Sequence, residues 1–280
     1  VIIDAQIHLW EAHRPDRPWL AEFIGQKIGP QHRSEPLLAP EMLAMMDASG
    51  VQRAIVVPPS VCGDEFGNLT ALEAARDHPT RFAVMGRFNP QLPDACARLE
   101  RWLEQPGMLG IRLTFHKPQW IPWLSDGTLD WFWDACDRMR IPVMAYLPYL
   151  LDTVPGIVER RPGLTLILDH MACPSGKRDA EAFVEFDKLI ALARFPNVSV
   201  KTTAVPSYTS APYPYAPLTP YLRRVFDTFG PRRMMWGSDI SKLSCPYQEV
   251  LDHFLHELDF LRGEDKEWVM GKACAALLRW

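Results

Sequence analysis

Residues 164–171 read LTLILDHM. Apart from Thr165, the stretch up to Leu168 is aliphatic, with no regular polar alternation. So short and unbroken a run suits a parallel strand buried on both faces better than a packed helix. The acid and the imidazole that follow then fall at the carboxyl end of that strand. The same pattern recurs in LGIRLTFH at 109–116 and RMMWGSD at 233–239. In each, an apolar run ends in groups that carry chemistry. Eight β-like runs can be marked, at residues 2–8, 53–57, 82–88, 109–115, 142–147, 164–169, 198–202 and 233–236. Helix-like stretches lie between most of them, at 40–49, 69–77, 94–104, 128–139, 154–160, 179–194 and 220–229, with two more at 248–260 and 264–280.

Strand followed by helix, over and over, is the signature of an α/β fold. Eight strands within about 240 residues fit a closed (β/α)8 TIM barrel better than an open sheet. No GxGxxG or Walker pattern follows an early strand, which weakens a nucleotide-binding sheet. No Gly/Ser linker or repeat divides the chain, so residues 1–280 are expected to form one barrel domain. The long loops 11–38, 117–127 and 205–219 each follow a proposed strand and are expected on the barrel face where active sites sit.

Composition narrows the partners. Thirty Lys and Arg against 34 Asp and Glu give a net charge of −4, so no basic field invites nucleic acid. No apolar run approaches 18 residues, so no membrane span is expected. The six cysteines, at 62, 96, 136, 173, 245 and 274, form no CxxC pair. With no leader-like start, they read as reduced, mostly buried thiols of a cytoplasmic protein.

The strand ends supply the candidate site. Asp4, Gln6 and His8 share one strand face by the period of two and would point into the barrel. His170 stands at the exit of the sixth run, with Asp169 expected to point away and brace backbone. Asp239 follows Gly237 at the exit of the eighth. Arg112 and His116 share parity on the fourth, where Arg suits an anion and His a proton transfer. Lys117 lies beside them, and Lys201 of the seventh run could bind substrate or pair with a buried acid. Trp10, Trp19, Trp120 and Trp123 could wall a pocket for a planar ligand, helped by the Tyr208–Tyr215 loop. GxSxG is absent. Cys173 and Cys245 read as buried thiols, and His253 and His256 as surface residues.

Taken together, IDAQIHLW, GIRL, LDHMACP and MWGSD resemble the amidohydrolase superfamily, and more narrowly its lactonase-containing amidohydrolase-related branch, which includes sugar lactonases and pyrone-dicarboxylate lactonases. The resemblance spans residue 3 to the terminal helix and implies a distorted barrel. It carries His8, His170 and Asp239 over as site residues, with Asp239 activating water. The family's first-strand His-x-His here reads Gln6-x-His8, and Ala172 replaces a usual Gly. His8, His170 and Asp239 could hold one divalent ion, zinc foremost. A metal-free site is the alternative, because an amide is a poorer ligand than imidazole. In that case His8, His170 and Arg112 would stabilise the carbonyl oxygen and His116 would protonate the leaving oxygen.

The expected activity is hydrolytic opening of a small lactone or related carbonyl compound. Gln6, Arg112, Lys201, Trp10, Trp120 and Tyr208 would bind an anionic or cyclic substrate. Metal-dependent decarboxylation of an aromatic or unsaturated acid, amide hydrolysis and a non-catalytic small-molecule-binding barrel are the alternatives. A homodimer is compatible with the aromatic loops.

Overall fold

A computed structural model describes residues 1–24, 33, 35–115 and 118–280. All eight expected strands are present. They are β1 (Ile3–Ile7), β2 (Arg53–Val56), β3 (Phe82–Arg87), β4 (Met108–Thr114), β5 (Val143–Tyr146), β6 (Leu166–Leu168), β7 (Val198–Thr203) and β8 (Met234–Gly237). They pair in sequence order, every pair parallel. At the remaining seam the Asp239 N–H donates to the Gln6 carbonyl at 2.9 Å. The result is a nearly closed, distorted barrel.

Helices return the chain between strands, as the right-handed parallel crossover requires. The first, α1 (Ala39–Ser49), carries Pro40 in its first turn and ends on Gly50 at φ 70°, where glycine meets no Cβ penalty. In a later helix, Thr219–Phe229, the buried residues Leu222, Val225 and Phe229 recur at spacings of three and four, laying one apolar stripe on the barrel wall. Among the described residues no helix is long and apolar enough to cross a membrane.

The apolar interior has two layers. Ile3, Ala5, Ile55, Met85, Met144, Ile167 and Met235 fill the lumen, and Ala273, Cys274 and Leu278 of the helix Ala273–Leu278 close its lower end. A larger cluster lies between the strands and the outer helices. β1 serves both layers irregularly, because its register against β2 shifts between Asp4 and Ile7. Ile3 and Ala5 belong to the lumen cluster, whereas Asp4 turns to β8 and to Tyr247 on a later helix. Gln6 then follows Ala5 inward, to a lysine of β7. Of the face expected to be shared by Asp4, Gln6 and His8, only Gln6 and His8 come together, because alternation by two presumes an unbroken register.

Candidate active site

The site begins at the seam. β8 ends on Gly237, where a Cβ would stand 2.6 Å from Thr203 Cγ2 and 2.9 Å from the Ala5 nitrogen. Only glycine lets β8 approach β1 this closely. The Asp4 carboxylate clamps the junction. It accepts from Ser238 N at 2.8 Å, Ser238 Oγ at 2.5 Å, Tyr247 OH at 2.9 Å and Gln6 N at 3.0 Å. Burial pushes the Asp4 carboxyl up to about 6, against the pull of these hydrogen bonds. Just past the clamp Asp239 takes a left-handed φ of 50°, one residue beyond Ser238. His170, Met171 and Ala172 are also left-handed at the exit of β6, each at φ 55°. Such turns cost energy in non-glycine residues and gather where side chains must be aimed.

Asp239, His8 and His170 meet in a buried polar cup. His8 Nε2 lies 3.1 Å from Asp239 Oδ1, and His170 Nε2 lies 3.6 Å from Asp239 Oδ2. Lys242 Nζ, one turn beyond Asp239, stands 3.3 Å from the same Oδ2. Burial alone would raise the Asp239 carboxyl, but Lys242 and His8 outweigh it and hold it well below the usual carboxylate range. Neither Asp239 oxygen accepts a hydrogen bond of good geometry among the described residues, although both face these ionisable groups.

A second acid completes the cup. Asp169 was expected to point away and does not. It lies fully buried between Lys201 Nζ at 2.8 Å and Arg112 Nε at 3.0 Å. Burial pushes its carboxyl up, yet Lys201 and then Arg112 bring it down to about 2. A period-two reading fails here because β6 ends at Leu168 and the chain leaves the ladder at Asp169. Lys201 donates to Gln6 Oε1. The Gln6 NH2 group is thereby turned toward His8 Nε2 at 3.4 Å and His170 Nε2 at 3.3 Å. His8 Nδ1 is 2.5 Å from the Val57 carbonyl oxygen, which can only accept, so that nitrogen carries a proton. His170 Nδ1 is 2.7 Å from Thr203 Oγ1, and burial followed by Lys242 lowers the His170 imidazole well below its ordinary value. His170 is therefore neutral, donating at Nδ1 to Thr203 and offering its Nε2 lone pair to Gln6.

This arrangement does not fit a resident divalent ion. The two imidazoles and Asp239 are suitable donors, but the fourth direction is held by the hydrogens of the Gln6 amide. Turning that amide to offer Oε1 would leave its NH2 against the Lys201 ammonium. Asp169 and Asp239 already face Arg112, Lys201 and Lys242. Among the described residues no group of three or more His, Cys, Asp or Glu side chains is placed to hold a metal.

Beside the cup lies a cavity of about 240 Å³ at the ends of β3 and β4, lined by Arg87, Arg112, Asn89, Phe115, Trp120 and Trp123, among others. Arg87 and Arg112 are register partners on adjacent strands. Arg112 thus belongs to both cup and cavity. Trp120 lines the cavity as expected, but Trp10 does not. At 2% exposure it packs in the outer core, its backbone N–H donating to the Leu37 carbonyl, because the chain has left β1 before reaching it. Tyr208 is likewise core, 3% exposed and absent from the cavity wall. His253 is buried against Tyr215 rather than on the surface, while His256 is exposed. His116 and Lys117 lie outside the described residues. Sequence reasoning missed Lys242, Thr203, Tyr146 and Arg87. Tyr146 stacks edge-on against His170 at 5.5 Å and stands between the cations of Arg112 and Lys242. Position gave a signal for each: all four lie at or just beyond the carboxyl end of a strand.

Comparison with known proteins gives the family and the fold. A family profile described as Amidohydrolase matches residues 3–280. An L-fucono-1,5-lactonase of Burkholderia ambifaria is 31% identical over 264 residues, covering 90% of this chain and 82% of the relative. A 4-sulfomuconolactone hydrolase of Rhizobium radiobacter is 24% identical, covering 82% of this chain and 74% of the relative. In fold, a zinc-bound amidohydrolase from Burkholderia multivorans superposes with a TM-score of 0.82 at 20% identity, covering 100% of this chain and 99% of the other.

Proposed function

The chain belongs to the amidohydrolase family, and from that premise we propose that it hydrolyses a small lactone bearing an anionic group. The observation that carries this reading is the Asp239 carboxylate, buried, ionised and with acceptor capacity left for water. In this reading Asp239 takes a proton from water as the water oxygen bonds to the lactone carbonyl carbon. Lys242 and Arg112, fixed cations in a buried site, face the oxyanion that develops. His170, neutral and an acceptor at Nε2, holds the cup together rather than donating to the oxyanion. Collapse of the tetrahedral adduct breaks the ring C–O bond. The proton passes from Asp239 through His8 Nε2 to the departing ring oxygen, leaving a hydroxy acid; His116 is the other candidate donor for that oxygen.

The Arg87–Arg112 pair supports a carboxylate or similar anion on the substrate, and Trp120 and Trp123 support a ring beside it. The lactone relatives in the comparison are consistent with this class. The same reading takes residues 1–280 as one domain working in the cytoplasm. Decarboxylation, amide hydrolysis and binding without turnover gain no observation of their own.

The test is a panel of five- and six-membered lactones, neutral and carboxylate-bearing, assayed by proton release. Asp239→Asn keeps the side-chain shape and tolerates the left-handed backbone, and it should lower kcat/KM by about 10²- to 10⁴-fold. Wild type and variant opening the whole panel at equal rates would remove the assignment.

A further inference from the structure

Gln6 is the residue in the cup that the proposed hydrolysis leaves without a role. It is fully buried and both ends of its amide are engaged. Its oxygen accepts from Lys201, and its nitrogen faces the Nε2 atoms of both imidazoles. Lys201 in turn is fully buried and held by Asp169, with the Met144 sulfur 3.2 Å away.

We propose that Lys201 is the resident cation of this site and that Gln6 relays its charge to the His170 imidazole, in the place where a metal ion would otherwise bind it. A metal on His170 would draw on its Nε2 lone pair and fix the ring in the Nδ1–H tautomer. The Gln6 NH2 group does the same work with hydrogen bonds. Its nitrogen faces His170 Nε2 at 3.3 Å, while Thr203 takes the Nδ1 proton; His8 Nε2 lies nearer the Asp239 carboxylate, at 3.1 Å, and pairs with that instead. The relay has one sense only. An ammonium can only donate, so it selects the amide oxygen and leaves the NH2 to face the rings. Lys201 and Gln6 are thus positioning residues: they set which imidazole nitrogen is free to accept. Charge excludes a second cation as well. A divalent ion would enter beside Lys201 and Lys242 with only Asp169 and Asp239 to compensate three positive side chains.

The test needs no substrate, so it stands or falls separately from the lactone reading. Full-length wild-type protein, dialysed against chelator, is titrated with zinc alone, and ¹⁵N spectra of the histidines report tautomers. Wild type should take up no stoichiometric zinc, and His170 should appear as a single neutral Nδ1–H tautomer. Gln6→His restores a third imidazole and should raise zinc affinity by about 100-fold. Lys201→Met frees the amide oxygen; it should raise zinc affinity by about 10-fold and shift the His170 Nε2 resonance. Should Gln6→His fail to fold, Lys201→Met against wild type decides. Stoichiometric zinc in wild type as tight as in either variant would overturn the proposal. So would an unchanged His170 Nε2 resonance in Lys201→Met.

Discussion

Replacing Asp169 by Asn isolates what binds the cup together. The carboxylate sits between Lys201 at 2.8 Å and Arg112 at 3.0 Å, with no solvent contact. Its carboxyl is brought from an ordinary 3.8 to about 2. At 1.36 kcal/mol per unit, the ionised form is worth about 2 kcal/mol of folded-state stability. The folded value is the lower one, so this contribution is complete above the unfolded value near 3.8 and is lost as pH falls toward 2. Substitution at neutral pH costs more, because the asparagine leaves two buried cations without a counter-charge; about 3–5 kcal/mol is expected. Urea unfolding at pH 7 reads this as a lower midpoint at an unchanged slope. Adding Lys201→Met to Asp169→Asn removes one orphaned cation and should recover at least about 1 kcal/mol. A loss under about 1 kcal/mol for the single variant, or strict additivity in the double, would refute the account of Asp169 as the hub of the cup.

Three further outcomes follow from the geometry. Arg87→Met should raise KM for a carboxylate-bearing lactone by about 10-fold or more and leave a neutral lactone unchanged, as measured by steady-state kinetics; equal effects on both would deny the anion subsite. Gly237→Ala puts a Cβ 2.9 Å from the Ala5 backbone nitrogen. It should cost about 1–3 kcal/mol in chemical unfolding and lower kcat by displacing Asp239, and a variant with wild-type stability would show the seam to be slack. The Asp4 carboxyl, raised by burial to about 6, has the opposite sign to Asp169. Its contribution is full below 3.8 and fades as pH rises through 6, so Asp4→Asn should flatten the stability profile between those values.

Much of this molecule was open to reading from the chain alone. Unbroken apolar runs fixed where the eight strands lie, and the groups at their exits located His8, His170 and Asp239. What stayed hidden depends on direction rather than position. The register shift in β1 sent Asp4 to the seam and Gln6 to the lumen, and no local residue marks that shift. Asp169 follows the end of its ladder, where alternation no longer assigns a face. Trp10 was drawn off by a backbone bond to Leu37, a partner 27 positions away. Lys242 enters the cup from a short helical turn after β8, which puts its ammonium where strand periodicity has nothing to say.

The three left-handed residues after β6 sort the DHMA stretch into two kinds of constraint. At 170 the side chain must be an imidazole for its bonds to Thr203 and Gln6, and the backbone must also tolerate the turn. At 171 and 172 the turn alone rules, which favours glycine or asparagine and penalises valine, isoleucine or threonine. A comparison that scores all of these letters as chemistry therefore counts steric grammar as if it were reactivity. A chain with Gly at 172 would be no closer in function to this one than a chain with Ala.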